Sequence, residues 1–233
     1  MKKIAILLLC YCSLLSCMQK RGSGNVISQT KDVGNFNGIN VSNSFNVELK
    51  NGPVTSVVVE ADDNLMKYVQ VKVVNNVLRI SLDNINVNDA HLKVLVTAPL
   101  IDEIKTSAAA EVVVKGSLFS EKAIHLNASS ASEIKATIDA PSVEVDASSG
   151  SDITLSGRTR DLDVSASSGA SINARELLSE NSTAKASSGA DVSVNASISV
   201  DADASSGGNI SYRGAASTIK KSNSSGGDIN KGN

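Results

Sequence analysis

The chain has no tryptophan, three phenylalanines and three tyrosines among its 233 residues. After residue 100 only Phe119 and Tyr212 remain, too few aromatic platforms for a groove that grips sugar rings. Cysteines are equally scarce: Cys10, Cys12 and Cys17 are the three, so nothing downstream can build a disulfide framework. Only two histidines occur, His91 and His125, and neither has a second His or a Cys at ligand spacing, which argues against a zinc site. Positive charge is not in excess either. With 22 basic and 24 acidic residues the net charge is -2, so the electrostatic footprint of a nucleic-acid partner is missing. Nothing in this inventory implies a catalytic constellation, a metal or a cofactor.

Aliphatics and serine fill the gap. Hydrophobic residues make up 41% of the chain and are almost all Ala, Val, Ile and Leu, while serine alone occurs 37 times. Such a composition is either low-complexity or repetitive. The N-terminus supplies the first organised signal, since Met1-Lys2-Lys3 and the apolar run from Ile4 to Leu15 form a secretory leader too short to span a bilayer. Leu14-Leu15-Ser16-Cys17 then resembles the lipobox of bacterial lipoproteins, with Cys17 as the acylated first residue of the mature chain. The alternative is an ordinary leader with a chance cysteine, but Cys10 and Cys12 lie inside the discarded segment and leave Cys17 alone. Residues 1–16 are thus expected to be the leader, and the polar, glycine-bearing stretch 17–31 a flexible tether to the membrane.

One motif recurs seven times. Its first serine falls at Ser107, Ser129, Ser148, Ser167, Ser187, Ser205 and Ser224, at intervals of 22, 19, 19, 20, 18 and 19 residues. Apolar and polar residues alternate on both sides, as in Val143-Glu144-Val145-Asp146-Ala147, the signature of half-buried strands. Ser-Ser-Gly reads as the corner between them. Gly150, Gly169, Gly189, Gly207 and Gly226 would supply a left-handed backbone, although the first two copies carry Ala109 and Ala131 there, so either those corners differ or φ > 0 is not required. Stacked serines can also form a hydrogen-bonded ladder.

A 19-residue unit of strand, corner and strand buries too few side chains to stand alone, so stacking is compulsory. The expected architecture is all-β: a right-handed parallel β-solenoid of about seven coils over residues 105–230, a rod about 30 Å long. Ala147, Ala166, Ala184, Ala186, Ala202 and Ala204 point to a narrow interior in which aromatics would not fit. A disordered Ser/Gly/Ala stalk would not keep apolar alternation in register with the corners, and propeller blades run about 40 residues.

Residues 32–104 have longer alternating strands and read as a β-rich cap on the solenoid. The turn Lys50-Asn51-Gly52-Pro53, a helical turn near Asp62 to Tyr68 capped by Asp or Asn, and a hairpin about Asn75-Asn76 are expected here. Phe36-Asn37-Gly38-Ile39-Asn40-Val41, Glu60-Ala61-Asp62-Asp63-Asn64-Leu65 and Val94-Leu95-Val96-Thr97-Ala98-Pro99-Leu100, followed by Ser-Ser-Gly corners, resemble the auto-transporter adhesin "head GIN domain" family of Bacteroidetes lipoproteins. The resemblance spans roughly residues 30–230 and implies a β-helical C-terminal part.

Four residues after each first serine stand Glu111, Glu133, Asp152, Ser171, Asp191, Asn209 and Asp228. Stacked in register they form an acidic column able to bind Ca2+ or a cationic partner, with Lys115, Lys135, Arg158, Arg160 and Arg175 as offsetting charges; the plainer reading is that Asp and Asn suit a turn beside Gly. Ser132-Glu133-Ile134-Lys135 matches a Ser-x-x-Lys motif but lacks the helix that motif should open. The expected function is a non-catalytic outer-membrane lipoprotein whose solenoid flank binds a glycan or protein, adhesin-like. The rivals are a polysaccharide lyase or hydrolase on a β-helix and a periplasmic scaffold.

Overall fold

A computed structural model describes residues 19–232. The leader and Cys17 lie outside the described residues. From Glu133 onward, single strands of 14 to 16 residues alternate with four-residue turns: Glu133–Ala147, Asp152–Ala166, Ser171–Ala186 and Asp191–Ala204. Each strand bends near its middle, so each coil has two walls, one corner at Ser-Ser-Gly and one bend opposite. Neighbouring coils pair in parallel, in register on both sides of the corner.

Alternation sends every second side chain inward. On one wall Val94, Val47, Val112, Ile134, Ile153, Ile172, Val192, Ile210 and Ile229 stack in one column, all buried. Next to the corner on the other wall the column runs Ile80, Val41, Thr106, Ala128, Ala147, Ala166, Ala186 and Ala204. In this column the side chains shrink to alanine from Ala128 onward, while the facing column keeps Ile and Val.

The corners are β-turns. Ser151 N donates to the Ser148 carbonyl at 3.3 Å, and the same bond recurs in other copies, for example Ala170 N to Ser167 O at 3.2 Å. Both central residues are left-handed, with φ of 55° and 69° at Ser149 and Gly150. Ala108-Ala109 and Ser130-Ala131 take the same conformation, with φ between 51° and 59°, so the alanine corners do not differ from the glycine ones. A Cβ on Gly150 meets nothing within 4 Å, and the cost of alanine is purely conformational. The ladder through the corners is carried by backbone rather than by serine hydroxyls: Gly150 N donates to Ser168 O at 3.1 Å and Gly169 N to Ser188 O at 3.1 Å. Hydroxyls join only where the fourth turn residue is an inward serine, as with Ser151 Oγ donating to Ala128 O at 2.8 Å.

The first half departs from expectation in three ways. It is not a separate cap, because Gly38–Val41 pairs in parallel with both Val77–Leu82 and Glu103–Thr106, and Asn46–Asn51 with both Leu92–Ala98 and Glu111–Phe119. Two further solenoid levels therefore precede the seven corner copies, stacked out of chain order. Residues 42–45 form the corner of one of them, with Asn43 and Ser44 at φ 62° and 58°. Second, the turn at 50–53 does not make a hairpin: Asn46–Asn51 and Ser56–Asp62 flank Leu92–Ala98 on opposite sides, one parallel and one antiparallel. Third, the expected tether is structured from residue 19. Gln19–Arg21 pairs with Asn86–Asn88, and Val26–Lys31 runs antiparallel to Ser56–Asp62.

Antiparallel strands close the N-terminal end. Val69–Val74 forms the expected hairpin with Val77–Leu82 through Asn75-Asn76, both at positive φ. Met66–Tyr68 is one turn of 3-10 helix without a side-chain cap, since the acidic side chains before it are used elsewhere. At the other end the last level is polar: Lys221 and Asn223 occupy the inward positions that Ala202 and Ala204 hold one level earlier. Lys221 Nζ lies 4.6 Å from the centre of the Tyr212 ring and shields it.

Candidate functional site

The corner edge is uniform, and the opposite bend edge is not. The irregular registers between corner copies occur at Val113/Ser117, Thr154/Ser156, Asn173/Leu178 and Ser179/Asn181, all toward the bend. The unequal repeat lengths are absorbed there. Gly157 allows a close approach of neighbouring strands at the bend: its φ is 107°, and a Cβ would lie 2.1 Å from the carbonyl oxygen of its partner Ile138.

The irregularity opens a cleft of about 550 Å³ lined by Asp139, Pro141, Arg158, Thr159, Arg160, Leu178, Glu180, Asn195 and Ser197, among others. Successive strands set its floor, because Asp139, Arg158, Leu178 and Asn195 occupy one outward column, which Phe119 and Arg213 continue beyond the cleft. Two of the column's members are apolar and open to solvent, Phe119 at 57% and Leu178 at 59% exposure. Polar members are held in place. Arg158 donates to Asp139 Oδ2 at 2.6 Å, and Arg160 Nε to Asp161 Oδ2 at 2.8 Å. Asn181 Nδ2 donates to the other oxygen of Asp161 at 3.0 Å and accepts from Ser199 Oγ at 2.8 Å. Arg213 reaches Glu176 at 2.7 Å and the Arg175 carbonyl.

These contacts favour the ionised forms of Asp139 in the cleft and Asp161 beside it. The guanidinium of Arg158 lowers the pKa of Asp139, and Arg160, then Asn181, lower that of Asp161. Carboxylates held ionised by arginine suit recognition of hydroxyls and amides, and are opposite to the raised pKa of a general acid.

The predicted acidic column does stack. Glu111, Glu133, Asp152, Ser171, Asp191, Asn209 and Asp228 face one another in consecutive levels, and the column extends to Asn46 and Lys93. Neighbours answer several of the carboxylates: Lys135 lies 2.8 Å from Glu133 and 3.4 Å from Glu111, and Asn209 donates to Asp191 at 3.0 Å. Lys135 is held above its ordinary pKa by Glu133 first and Glu111 second. Among the described residues no three His, Cys, Asp or Glu side chains converge as a metal cage, so the column offers single carboxylates in a line. Of the basic residues expected to offset it, only Lys135 does so. Lys115 faces Glu48 at 3.8 Å, and Arg158 and Arg160 belong to the bend cleft.

The remaining sequence candidates stay apart. Ser132 is buried at a corner, its hydroxyl 2.9 Å from Thr106 Oγ1, while Lys135 points outward. His91 and His125 lie at separate sites, the latter 3.0 Å from Glu144. Gly150, Gly169, Gly189, Gly207 and Gly226 all sit at left-handed corner positions, with φ from 69° to 77°. Sequence reading missed the cleft, including Asp139, Leu178 and Asn195. The signal for it was the departure of the repeat length from 19.

Fold and edge geometry together define a two-walled parallel β-solenoid with a regular structural edge and a variable, cleft-bearing one. Residues 35–216 match the family model described as "Putative auto-transporter adhesin, head GIN domain", and the chain belongs to that family. Solved structures share the architecture at low identity. A "putative adhesin" from Bacteroides fragilis is 21% identical with a TM-score of 0.85, covering 91% of this chain and 99% of its own. A "putative adhesin" from Parabacteroides distasonis is 21% identical with a TM-score of 0.73, covering 92% and 100%. A "putative lipid binding protein" from the same organism is 18% identical with a TM-score of 0.72, covering 92% and 100%. No curated protein matches the sequence.

Proposed function

We propose that the protein is a non-catalytic, lipid-anchored component of the cell envelope whose bend edge binds a glycan or a protein in the manner of an adhesin. The observation that carries this reading is the cleft itself: exposed Leu178 set among ionised, hydrogen-bonded Asp139, Arg158 and Arg160, on a scaffold too regular elsewhere to discriminate partners. Family membership supports the adhesin-like role, and the lipobox at Cys17 supports envelope attachment. An outer-membrane location follows from the same lipobox reading.

The test is an arrayed panel of polysaccharides and extracellular proteins probed with the purified chain, read for both binding and turnover. Saturable binding without turnover is expected. Cleavage of a polysaccharide, abolished by Asp139→Asn or Glu180→Gln, would overturn the reading in favour of an enzyme. Protease added to intact cells separates surface display, where the chain is cut, from a periplasmic scaffold, where it is spared.

A further inference from the structure

The first described residue, Gln19, stands two residues after Cys17 and is already in a strand. Beyond the strand Gln19–Arg21, the chain is stapled to the turn at Asp62-Asp63-Asn64. Gly24 N donates to Asp62 Oδ1 at 2.7 Å, Ser23 Oγ to Asp63 Oδ1 at 2.6 Å, Asn25 Nδ2 to Asp63 Oδ2 at 2.8 Å, and Asn64 Nδ2 to the Arg21 carbonyl at 2.9 Å. Asp62 is buried and also accepts from His91 N at 2.7 Å. Gly22 packs so closely on it that a Cβ would lie 2.3 Å from Asp62 Oδ2. An extended chain covers at most about 3.6 Å per residue, so the Cα of Gln19 lies within about 7 Å of that of Cys17. A lipid on Cys17 brings the bilayer surface equally near.

The body presents a cationic cluster at this point. Lys20 Nζ lies 5.3 Å and Lys67 Nζ 5.2 Å from the centre of the Tyr68 ring. Among the described residues neither ammonium has a carboxylate at salt-bridge distance, whereas the adjacent Arg21 pairs with Asp89 at 3.0 Å. The Tyr68 hydroxyl is held below its ordinary pKa, by Lys20 before all else. Two ammoniums gathered on one phenol without an acidic partner leave donors free for an anionic oxygen. A tyrosine that is half-buried with its polar tip outward suits the headgroup depth of a membrane.

We infer that Lys20, Tyr68 and Lys67 form a headgroup contact, which seats the anchor-proximal corner of the solenoid on anionic phosphates of the bilayer that holds the Cys17 lipid. This rests on the lipoprotein reading of Cys17. Lysines close to an anionic bilayer surface each add to attachment, and the Asp62 staple makes that attachment rigid. The solenoid then stands on the membrane in one orientation instead of swinging from a tether.

Intrinsic fluorescence tests this, because the chain lacks tryptophan and, once the leader with Tyr11 is removed, keeps only Tyr68 and Tyr212. The two lie near opposite ends of the stack, on the order of 30 Å apart. The full lipoprotein, purified from membranes, is reconstituted into phosphatidylglycerol vesicles with brominated acyl chains. In Tyr212→Phe, Tyr68 should lose most of its emission relative to unbrominated vesicles, while in Tyr68→Phe the emission of Tyr212 should be unchanged. Adding Lys20→Gln and Lys67→Gln to Tyr212→Phe should restore the emission of Tyr68, as should phosphatidylcholine vesicles. The mass of the N-terminal peptide scores acylation separately. An unacylated Cys17 overturns the lipoprotein reading and the contact with it. An acylated, vesicle-bound chain with unquenched Tyr68 overturns the contact alone, and quenching that ignores the lysines and the lipid charge overturns its electrostatic basis.

Discussion

Along the corner edge each level repeats the one below it, while along the bend edge the levels change in length and register. The corner keeps a pair of left-handed residues and backbone bonds between levels from Ser42-Asn43-Ser44 to Ser224-Ser225-Gly226, whatever the side chains. The bend takes up coils of different length, and it carries Arg158, Leu178 and the cleft. A parallel stack tolerates a change of length only where neighbouring levels need not match. Confining irregularity to one edge protects the ladder and leaves that edge open to vary, the division of labour between scaffold and loops seen in other folds.

Substitutions at the two edges should differ in cost. The largest effect is expected at the bend, where Gly157→Ala places a Cβ against the Ile138 carbonyl at a φ of 107°. It should cost about 3 kcal/mol or more, read from the urea midpoint. Ile153→Ala, in the inward column shared by all levels, should cost about 2–5 kcal/mol in the same measurement. At the corner, Gly150→Ala should cost only about 1–2 kcal/mol, and Ala131→Gly should be neutral or stabilising by up to that amount. A Gly150→Ala loss as large as that of Gly157→Ala would mean that the corners do not share one conformation.

The smallest effect concerns the Asp139–Arg158 pair, which is exposed at Arg158 and half-buried at Asp139. Because Arg158 lowers the folded-state pKa of Asp139, the stabilisation is complete above the ordinary carboxylate value and is lost as pH falls through the lowered one. Arg158→Gln should remove that slope and return Asp139 to the ordinary carboxylate range in an NMR titration.

The repeat half of the fold was legible because period-two alternation and a fixed corner report backbone geometry directly. Val143-Glu144-Val145 can only be a strand with one face inward, and Ser-Ser-Gly at a constant offset can only be a turn. The first half was less legible, since which strand lies beside which is decided by long-range register and not by local pattern. Nothing near Asn51-Gly52 says that Leu92–Ala98 will come between the two strands it joins. Residues 19–31 looked like a tether because their partners, Asp62, Asp63 and Asn86–Asn88, are far along the chain. The acidic column was placed correctly by spacing alone, but its partners were not: Arg158 and Arg160 lie on the bend edge, beyond reach of any arithmetic on repeats.

On this reading, recognition belongs to the bend edge and framework to the corner edge. That division is tested most directly by measuring the affinity of the strongest partner from the binding panel for Leu178→Glu and for Ser149→Glu, both exposed and both expected to fold. Leu178→Glu should abolish binding and Ser149→Glu leave it unchanged, whereas loss of binding by Ser149→Glu with Leu178→Glu unaffected would contradict the account.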